Sequence, residues 1–182
     1  MKGNSLLNLL QVYQEQYPDE KHQVFRMISF LESNEDCFER TNRAGHFTGS
    51  AWIVNHSHDA VLLTHHRKLN KWLQLGGHAD GNPNLVDVAR AEAKEESGLK
   101  ALTLVSTEIF DLDIHPIHHL ERDLDHLHYD VRFFFEASSN AEIVVSVESH
   151  DVSWVPFENI LKLNSELSMR RMLKKTKIAF GL

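Results

Sequence analysis

Residues 76–99 read GGHADGNPNLVDVARAEAKEESGL, and this stretch decides the fold of the chain. A polar, glycine-rich loop leads into a segment whose apolar residues recur at helical spacing, which predicts a helix that Gly98 ends. At about 100° per residue, Glu92, Glu95 and Glu96 fall in the same arc as the apolar residues. The pattern therefore predicts a helix that turns three carboxylates toward the protein interior.

Three inward carboxylates need a counter-charge, because removing one uncompensated carboxylate from water costs several kcal/mol. Helical spacing leaves two explanations open. The acids pair with Lys or Arg or lie at a solvated helix end, or they bind a hard cation through oxygen ligands, Mg²⁺ or Mn²⁺. We expect Asn82 to cap the helix and Pro83 to occupy its first turn.

The same stretch resembles the signature of the Nudix hydrolase family: Gly, five residues, Glu, seven residues, then REUxEExGU, where U is aliphatic. Two positions depart from the pattern, since Pro83 replaces the first Glu and Ala91 replaces the Arg, with Arg90 adjacent. The positions in register are Gly77, Glu92, Ala93, Glu95, Glu96, Gly98 and Leu99.

This resemblance covers most of residues 46–163, because SAWIV, LLTHHRKLNKWLQLGGHADG and SWVPFENI also resemble a bacterial Nudix subgroup. It implies an α/β fold, a Nudix-like α/β/α sandwich with a mixed β-sheet and an N-terminal helical extension. It further implies Mg²⁺- or Mn²⁺-dependent hydrolysis of a diphosphate linkage in a nucleoside diphosphate joined to another moiety. The metal ligands it implies are Glu92, Glu96 and the carbonyl of Gly76, with Glu95 as either a third ligand or the base that deprotonates the attacking water. Glu95 and Glu96 are the candidate catalytic residues.

Periodicity elsewhere predicts helices and strands that agree with this fold. We expect the chain to divide into a helical extension, 1–44, and a Nudix domain, 45–182. The terminal helix carries a Lys/Arg-rich face that we interpret as solvated. The predicted elements are two helices on either side of Pro18, a hairpin of 46–55 and 60–66, strands at 101–110, 127–137 and 141–147, a last strand and short helix from VSWVPF, and a helix over 165–178.

Basic and aromatic residues outside the signature are candidates for binding substrate. Arg67 and Lys68 lie in a basic segment before the glycine pair and are candidates for steering phosphate, although an ordinary polar turn explains them equally well. His78 leads out of the loop and is a candidate for touching phosphate, although a plain loop histidine explains it equally well. Trp154 is a candidate for stacking on a nucleobase, although packing in the core or at its rim is the more common role of Trp.

The chain contains 13 histidines, and HLHYD at 126–130 is the most regular group. In a strand, alternation projects His126, His128 and Asp130 from one face, which allows a second metal, a substrate contact or a proton relay. A row of surface histidines is the simpler interpretation for any one of them. The string also resembles the zinc motif HxHxDH of metallo-β-lactamase-like hydrolases, but position 131 is Val, which weakens a zinc site.

A second alternating run, Asp111, Asp113 and His115, precedes this group, and we expect the two runs to face each other across a cleft. His118 and His119 then lie in a loop that borders the substrate.

Composition limits the partners. The 182 residues are 42% hydrophobic, and 26 acidic against 19 basic residues give a net charge of −7, which argues against nucleic acid polymers and anionic membranes. The expected partner is a small-molecule diphosphate. A single cysteine, Cys37, and no apolar membrane-length run favour a cytoplasmic location, and dimerisation, common in the resembled family, makes a homodimer possible.

Two other function classes stay open. Pro83 and Ala91 allow a sensor module that binds a nucleotide or diphosphate without hydrolysing it. An isoprenoid-diphosphate isomerase of the same fold would use a catalytic cysteine, and Cys37 lies far from the signature.

Overall fold

The computed structural model describes residues 4–117 and 126–182. Helices flank a sheet of short and long strands. The elements are α1 (Asn4–Gln16), a 3₁₀ turn (Pro18–Glu20), α2 (Lys21–Ser33), β1 (Gly45–Asn55), β2 (Ala60–His66), β3 (Lys71–Leu73), β4 (Leu75–His78), α3 (Leu85–Ser97), β5 (Thr103–Leu104), β6 (Asp111–Ile117), β7 (His126–Ala137), β8 (Ser149–Pro156), α4 (Phe157–Leu163) and α5 (Leu167–Phe180).

The centre of the sheet is the parallel pair β1 and β7, which are in register from Gly45 opposite Leu127 to Asn55 opposite Ala137. β1 also pairs antiparallel with β2 and β4, while β7 pairs antiparallel with β5 and β6. β2 in turn pairs antiparallel with β3 and β8. The sheet is therefore mixed, as predicted.

Side-chain alternation along the central strands builds a core on each face of the sheet. In β1, Phe47 and Ile53 join the core beneath α1, α2 and α3, whereas Trp52 and Val54 join the core beneath α4 and α5. Helices thus cover both faces, which confirms the α/β/α sandwich.

The start of α3 differs from the sequence prediction. The helix begins at Leu85, so Asn82 is not its cap and Pro83 lies before the first turn. The Asn82 Oδ1 instead accepts the Asn84 N–H at 3.0 Å, a local turn that competes with capping. The helix ends as predicted at Gly98, which has a φ of +71°.

Two strand predictions are wrong in whole or part. Residues 141–147 form no strand, because the backbone N–H of Val144 bonds to the carbonyl of Ser97 at the end of α3. Of 101–110, only Thr103–Leu104 is strand, and it pairs with β7. Val144 in the first segment therefore lies against the end of α3 instead of extending the sheet.

The N-terminal helices bury side chains in the same core as the sheet. Tyr13, Met27 and Phe30 are 1%, 0% and 7% exposed, and Phe30 stacks on Tyr129 of β7 with ring centroids 4.0 Å apart. The division of the chain into an N-terminal extension, 1–44, and a separate domain, 45–182, stays a prediction. Across the described ranges, no helix combines the length and apolar character needed to cross a bilayer.

The basic face of α5 is not fully solvated, contrary to the prediction. Lys175 is 7% exposed and its Nζ lies 2.8 Å from Asp111 in β6, while the Arg171 Nε donates to the same carboxylate at 2.7 Å. Arg132 in β7 is 2% exposed and donates to Asp111 at 3.1 Å. A buried ion cluster therefore joins α5 to the sheet, and the helical pattern does not reveal the buried carboxylate that attracts these cations.

Candidate active site

The acids of α3 are buried to different degrees. Glu96 is 7% exposed, Glu92 is half-buried and Glu95 is exposed, so the prediction of three inward carboxylates is wrong for Glu95. Glu95 lies at the edge of the predicted arc, which explains its exposure. One Glu96 oxygen accepts the backbone N–H of Gly76 in β4 at 2.9 Å, and this bond orients the carboxylate toward the glycine pair.

Burial makes the charged forms of these acids costly. Desolvation raises the pKa of Glu96 to about 7, and the charge of Glu92 adds to it, although the Gly76 N–H opposes the shift. Burial, followed by the charge of Glu95, also raises the pKa of Glu92. In the described part of the chain, none of the three forms an ion pair with Lys or Arg, and the charge of Arg40 opposes the rise in the Glu92 pKa only in part.

The glycine pair allows three elements to meet at this point. A Cβ at Gly77 would lie 2.4 Å from the carboxyl carbon of Glu92, and a Cβ at Gly76 would lie 2.7 Å from the Cα of Ser50 in β1. Only glycine lets β4 lie between β1 and α3 at these distances. The role of the Gly76 carbonyl as a metal ligand stays a prediction.

A further carboxylate, Glu148, lies in the segment before β8 and is absent from the sequence prediction. Its charge raises the pKa of Glu92 and of Glu96, which places it within electrostatic reach of both. No motif marks this residue, because it comes from a segment about fifty positions after the helix.

Arg67 and Lys68 both lie exposed between β2 and β3. The Arg67 Nη2 donates to the carbonyl of Ser149 at 3.0 Å, and its backbone N–H donates to the carbonyl of Glu148. The structure thus brings Arg67 beside the segment that contributes Glu148.

Trp154, in β8, is half-buried and packs against the core on the α3 side of the sheet. Its Nε1 is buried and has no hydrogen-bond partner among the residues that the structure describes. Stacking of a base on Trp154 stays a prediction.

The predicted histidines gather with one that the sequence prediction missed, His46 in β1. The His46 ring lies 5.0 Å from His78, 5.0 Å from His126 and 4.7 Å from His128, all between centroids. β1 lies parallel to β7 with His46 opposite His128, and this register cannot be deduced from either strand alone. The pairing of β4 with β1 brings His78 to the same group of histidines.

These imidazoles are largely shielded from water. Burial, followed by the neighbouring imidazoles, lowers the pKa of His46 to about 4 and that of His128 to about 2. The pKa of His78 is also lowered, chiefly by burial. The three rings are therefore neutral at pH 7.

Asp130 lies on the same sheet face and its oxygens are engaged within the protein. It is 2% exposed and accepts hydrogen bonds from Thr48, Ser50, Gln74 and Arg132 at 2.7 to 3.2 Å. These contacts support a structural role, in which Asp130 joins β7 to β1. Direct contact of Asp130 with substrate stays a prediction.

The run Asp111, Asp113 and His115 is not across a cleft from the β7 histidines. β6 and β7 are hydrogen-bonded neighbours, with Asp113 opposite Asp130 and His115 opposite His128. Adjacent antiparallel strands place these side chains next to each other on one face. The predictions for His118 and His119 lie outside the described residues.

Comparison with known proteins agrees with this geometry. A family model of the NUDIX domain matches residues 46–176. No curated protein matches the sequence significantly.

Solved structures share the fold. A NUDIX-family hydrolase from Clostridium perfringens is 25% identical, with a TM-score of 0.53 over 76% of this chain and 99% of that one. An Ap4A hydrolase of C. elegans, in a binary complex, is 16% identical with a TM-score of 0.60 over 74% and 97%. The NUDIX domain of Shewanella oneidensis NrtR, complexed with ADP ribose, is 13% identical with a TM-score of 0.56 over 84% and 97%.

Proposed function

Because the chain belongs to the NUDIX domain family and is a Nudix-type hydrolase, we propose that it hydrolyses a diphosphate linkage in a nucleoside diphosphate joined to another moiety. Mg²⁺ or Mn²⁺ is the proposed cofactor. The observation that carries the proposal is Glu96, a carboxylate 7% exposed that lies close to Glu92 and has no protein cation beside it in the described residues.

The donor set fits a hard divalent cation. Carboxylates of Glu92, Glu95 and Glu96, with the Gly76 carbonyl, would supply oxygen ligands, which Mg²⁺ and Mn²⁺ prefer. When bound, such an ion neutralises charge on phosphoryl oxygens and lowers the pKa of water. Burial and the neighbouring carboxylates raise the pKa of Glu92 and Glu96, and a bound cation would oppose this shift by stabilising the charged forms.

The protein's own groups support the rest of the reaction. The Gly76 N–H holds the Glu96 carboxylate in place, so less reorganisation is needed when substrate binds. Glu95 is exposed and unpaired by any described cation, which suits a base that takes a proton from the attacking water. Arg67, beside the segment that contributes Glu148, and the adjacent Lys68 are exposed cations that would attract the phosphates.

The test is a panel of nucleoside diphosphate compounds assayed with Mg²⁺ and with Mn²⁺. We expect Glu96→Gln to lower turnover at least about 10²-fold, because it removes a charged ligand and the charge stabilisation that depends on it. Glu15→Gln, an exposed glutamate on α1, is the matched control and should keep wild-type turnover. Full activity of Glu96→Gln, or activity unaffected by a chelator, would contradict the proposal.

A ligand sensor is the second candidate, and one observation favours it. Arg90 does not take the place of the missing arginine at 91, because its guanidinium lies 5.6 Å from the Phe135 ring centroid and near Asp87. The NUDIX domain of Shewanella oneidensis NrtR, which shares this fold, was solved in complex with ADP ribose. Calorimetric binding of ADP ribose without turnover of any panel compound would establish the sensor instead.

The isomerase gains no support from the structure. Cys37 is 2% exposed and packs in the core, and burial raises its pKa to about 11. Such a thiol is a poor nucleophile. Cytoplasmic location and dimerisation stay predictions.

A further inference from the structure

We propose that His46, His78 and His128 form a second metal site, which binds Zn²⁺ through three imidazole nitrogens. This site is separate from the carboxylate site of α3 and does not depend on the proposed hydrolysis. It reassigns His78 and His128, which the sequence suggested as substrate contacts.

The geometry brings three strands to one point. His46 comes from β1, His78 from the end of β4 and His128 from β7. One ring nitrogen from each lies within 4.8 Å of the others. A tetrahedral ion with bonds of about 2.0 Å requires the three nitrogens to lie roughly 3.3 Å apart, so binding requires the rings to turn toward one another.

Unpartnered nitrogens in this cluster point to a missing ligand. His46 is 2% exposed, and neither of its ring nitrogens has a hydrogen-bond partner among the described residues. The Nε2 of His128 is also buried and has no hydrogen-bond partner among the described residues. Buried polar atoms in native proteins are nearly always satisfied, and a coordinated cation satisfies imidazole lone pairs.

The donor type selects a different metal from that of the glutamates. Neutral imidazoles suit Zn²⁺ and its first-row neighbours, whereas Mg²⁺ prefers oxygen. Three histidines also leave a fourth coordination position open, as in zinc sites that accept water or an anion. His126 and His115 border the cluster, with rings 5.2 Å and 5.6 Å from that of His128.

The two sites lie on opposite faces of β4. A side chain at Gly77 would meet Glu92 of α3, and alternation turns the next residue, His78, to the other face beside His46. Zn²⁺ at this point would link β1, β4 and β7. Binding should therefore stabilise the fold as well as occupy the site.

The test uses the full-length protein, stripped with a chelator and held in excess Mg²⁺, and titrated with Co²⁺ as a coloured probe for Zn²⁺. We expect one equivalent of Co²⁺ to give a visible absorption band that Zn²⁺ abolishes. His78→Gln and His128→Gln should weaken binding at least about 10²-fold, since a direct ligand matters at least as much as the groups that orient it. His22→Gln, an exposed histidine on α2, should bind as wild type.

Glu96→Gln separates this proposal from the hydrolase proposal, because it removes a carboxylate ligand and should leave the Co²⁺ band intact. Thermal melting gives a second readout that does not require turnover: Zn²⁺ should raise the Tm of the wild type and of Glu96→Gln, but not of the folded His78→Gln protein. Absence of a band in the wild type, an unchanged band in both histidine variants, or loss of the band in Glu96→Gln would overturn the inference.

Discussion

Individual carboxylates in this protein have opposite electrostatic environments. Burial, with a smaller effect from the neighbouring acids, raises the pKa of Glu96, whereas Asp113 lies 3.2 Å from the guanidinium of Arg132 and 3.4 Å from His115. Burial would raise the pKa of Asp113, but the His115 hydrogen bond and the Arg132 charge overcome it and lower the pKa to about 2. Glu96 is thus suited to binding a cation and Asp113 to stabilising the fold.

Asp113→Asn should lower the free energy of unfolding at pH 7 by about 2 kcal/mol, since the folded pKa lies about two units below the ordinary 3.8. A lowered pKa stabilises the folded state above the unfolded pKa and ceases to do so as pH falls through the folded value. The difference between variant and wild type should therefore shrink below pH 4 and vanish near pH 2. Urea unfolding across this range measures it, with the exposed Asp19→Asn as control.

β4 packs closely against α3 at Gly77 and against β1 at Gly76, so an added methyl group should have a different effect at each glycine. At Gly77 the added Cβ meets the flexible end of Glu92, but at Gly76 it meets the backbone of Ser50 and Gly49, with Gly49 O at 2.8 Å. The first neighbour can move and the second cannot.

Gly77→Ala should keep the fold but displace Glu92, and a shift of about 1 Å in a metal-binding group lowers turnover about 10²-fold. Gly76→Ala should instead destabilise the protein, because β1 has to shift. Turnover and thermal melting on both variants test the distinction, with Gln14→Ala, at an exposed position of α1, as the control. Normal turnover in Gly77→Ala would remove Glu92 from the proposed site.

The ion cluster of α5 connects parts of the protein that are far apart in the sequence. Lys175 donates to Asp111 of β6 at 2.8 Å and lies 2.9 Å from Glu20, and its ammonium also contacts Tyr13 of α1. One side chain therefore joins the C-terminal helix, a strand and the N-terminal segment.

Lys175→Met should lower the free energy of unfolding by about 3 kcal/mol, because it leaves buried acids with fewer cations. Lys174→Met, on the exposed side of the same turn, should change it by less than about 0.5 kcal/mol. Equal effects of the two substitutions in denaturant unfolding would show that the cluster does not stabilise the chain.

Local patterns were sufficient for the body of α3, its end at Gly98, the hairpin and β7, whereas the α/β/α layers followed from the family resemblance. Each depends on neighbours in the chain: helical spacing, alternation, and the conformational freedom of glycine. The Nudix signature is local in the same way, which is why the family could be recognised from residues 77–99. Expectations failed where a local pattern had a distant partner, as at 141–147, where the Val144 backbone N–H bonds to Ser97 at the end of α3.

Only the tertiary structure decided which side chains meet. The register of β1 against β7 placed His46 opposite His128, and the pairing of β4 with β1 added His78, although these residues are up to 82 positions apart. Burial of Lys175 likewise followed from a carboxylate 64 positions away. Sequence patterns report the face on which a residue lies, whereas the neighbours on that face depend on strand order and register, which arise only when the whole sheet has formed.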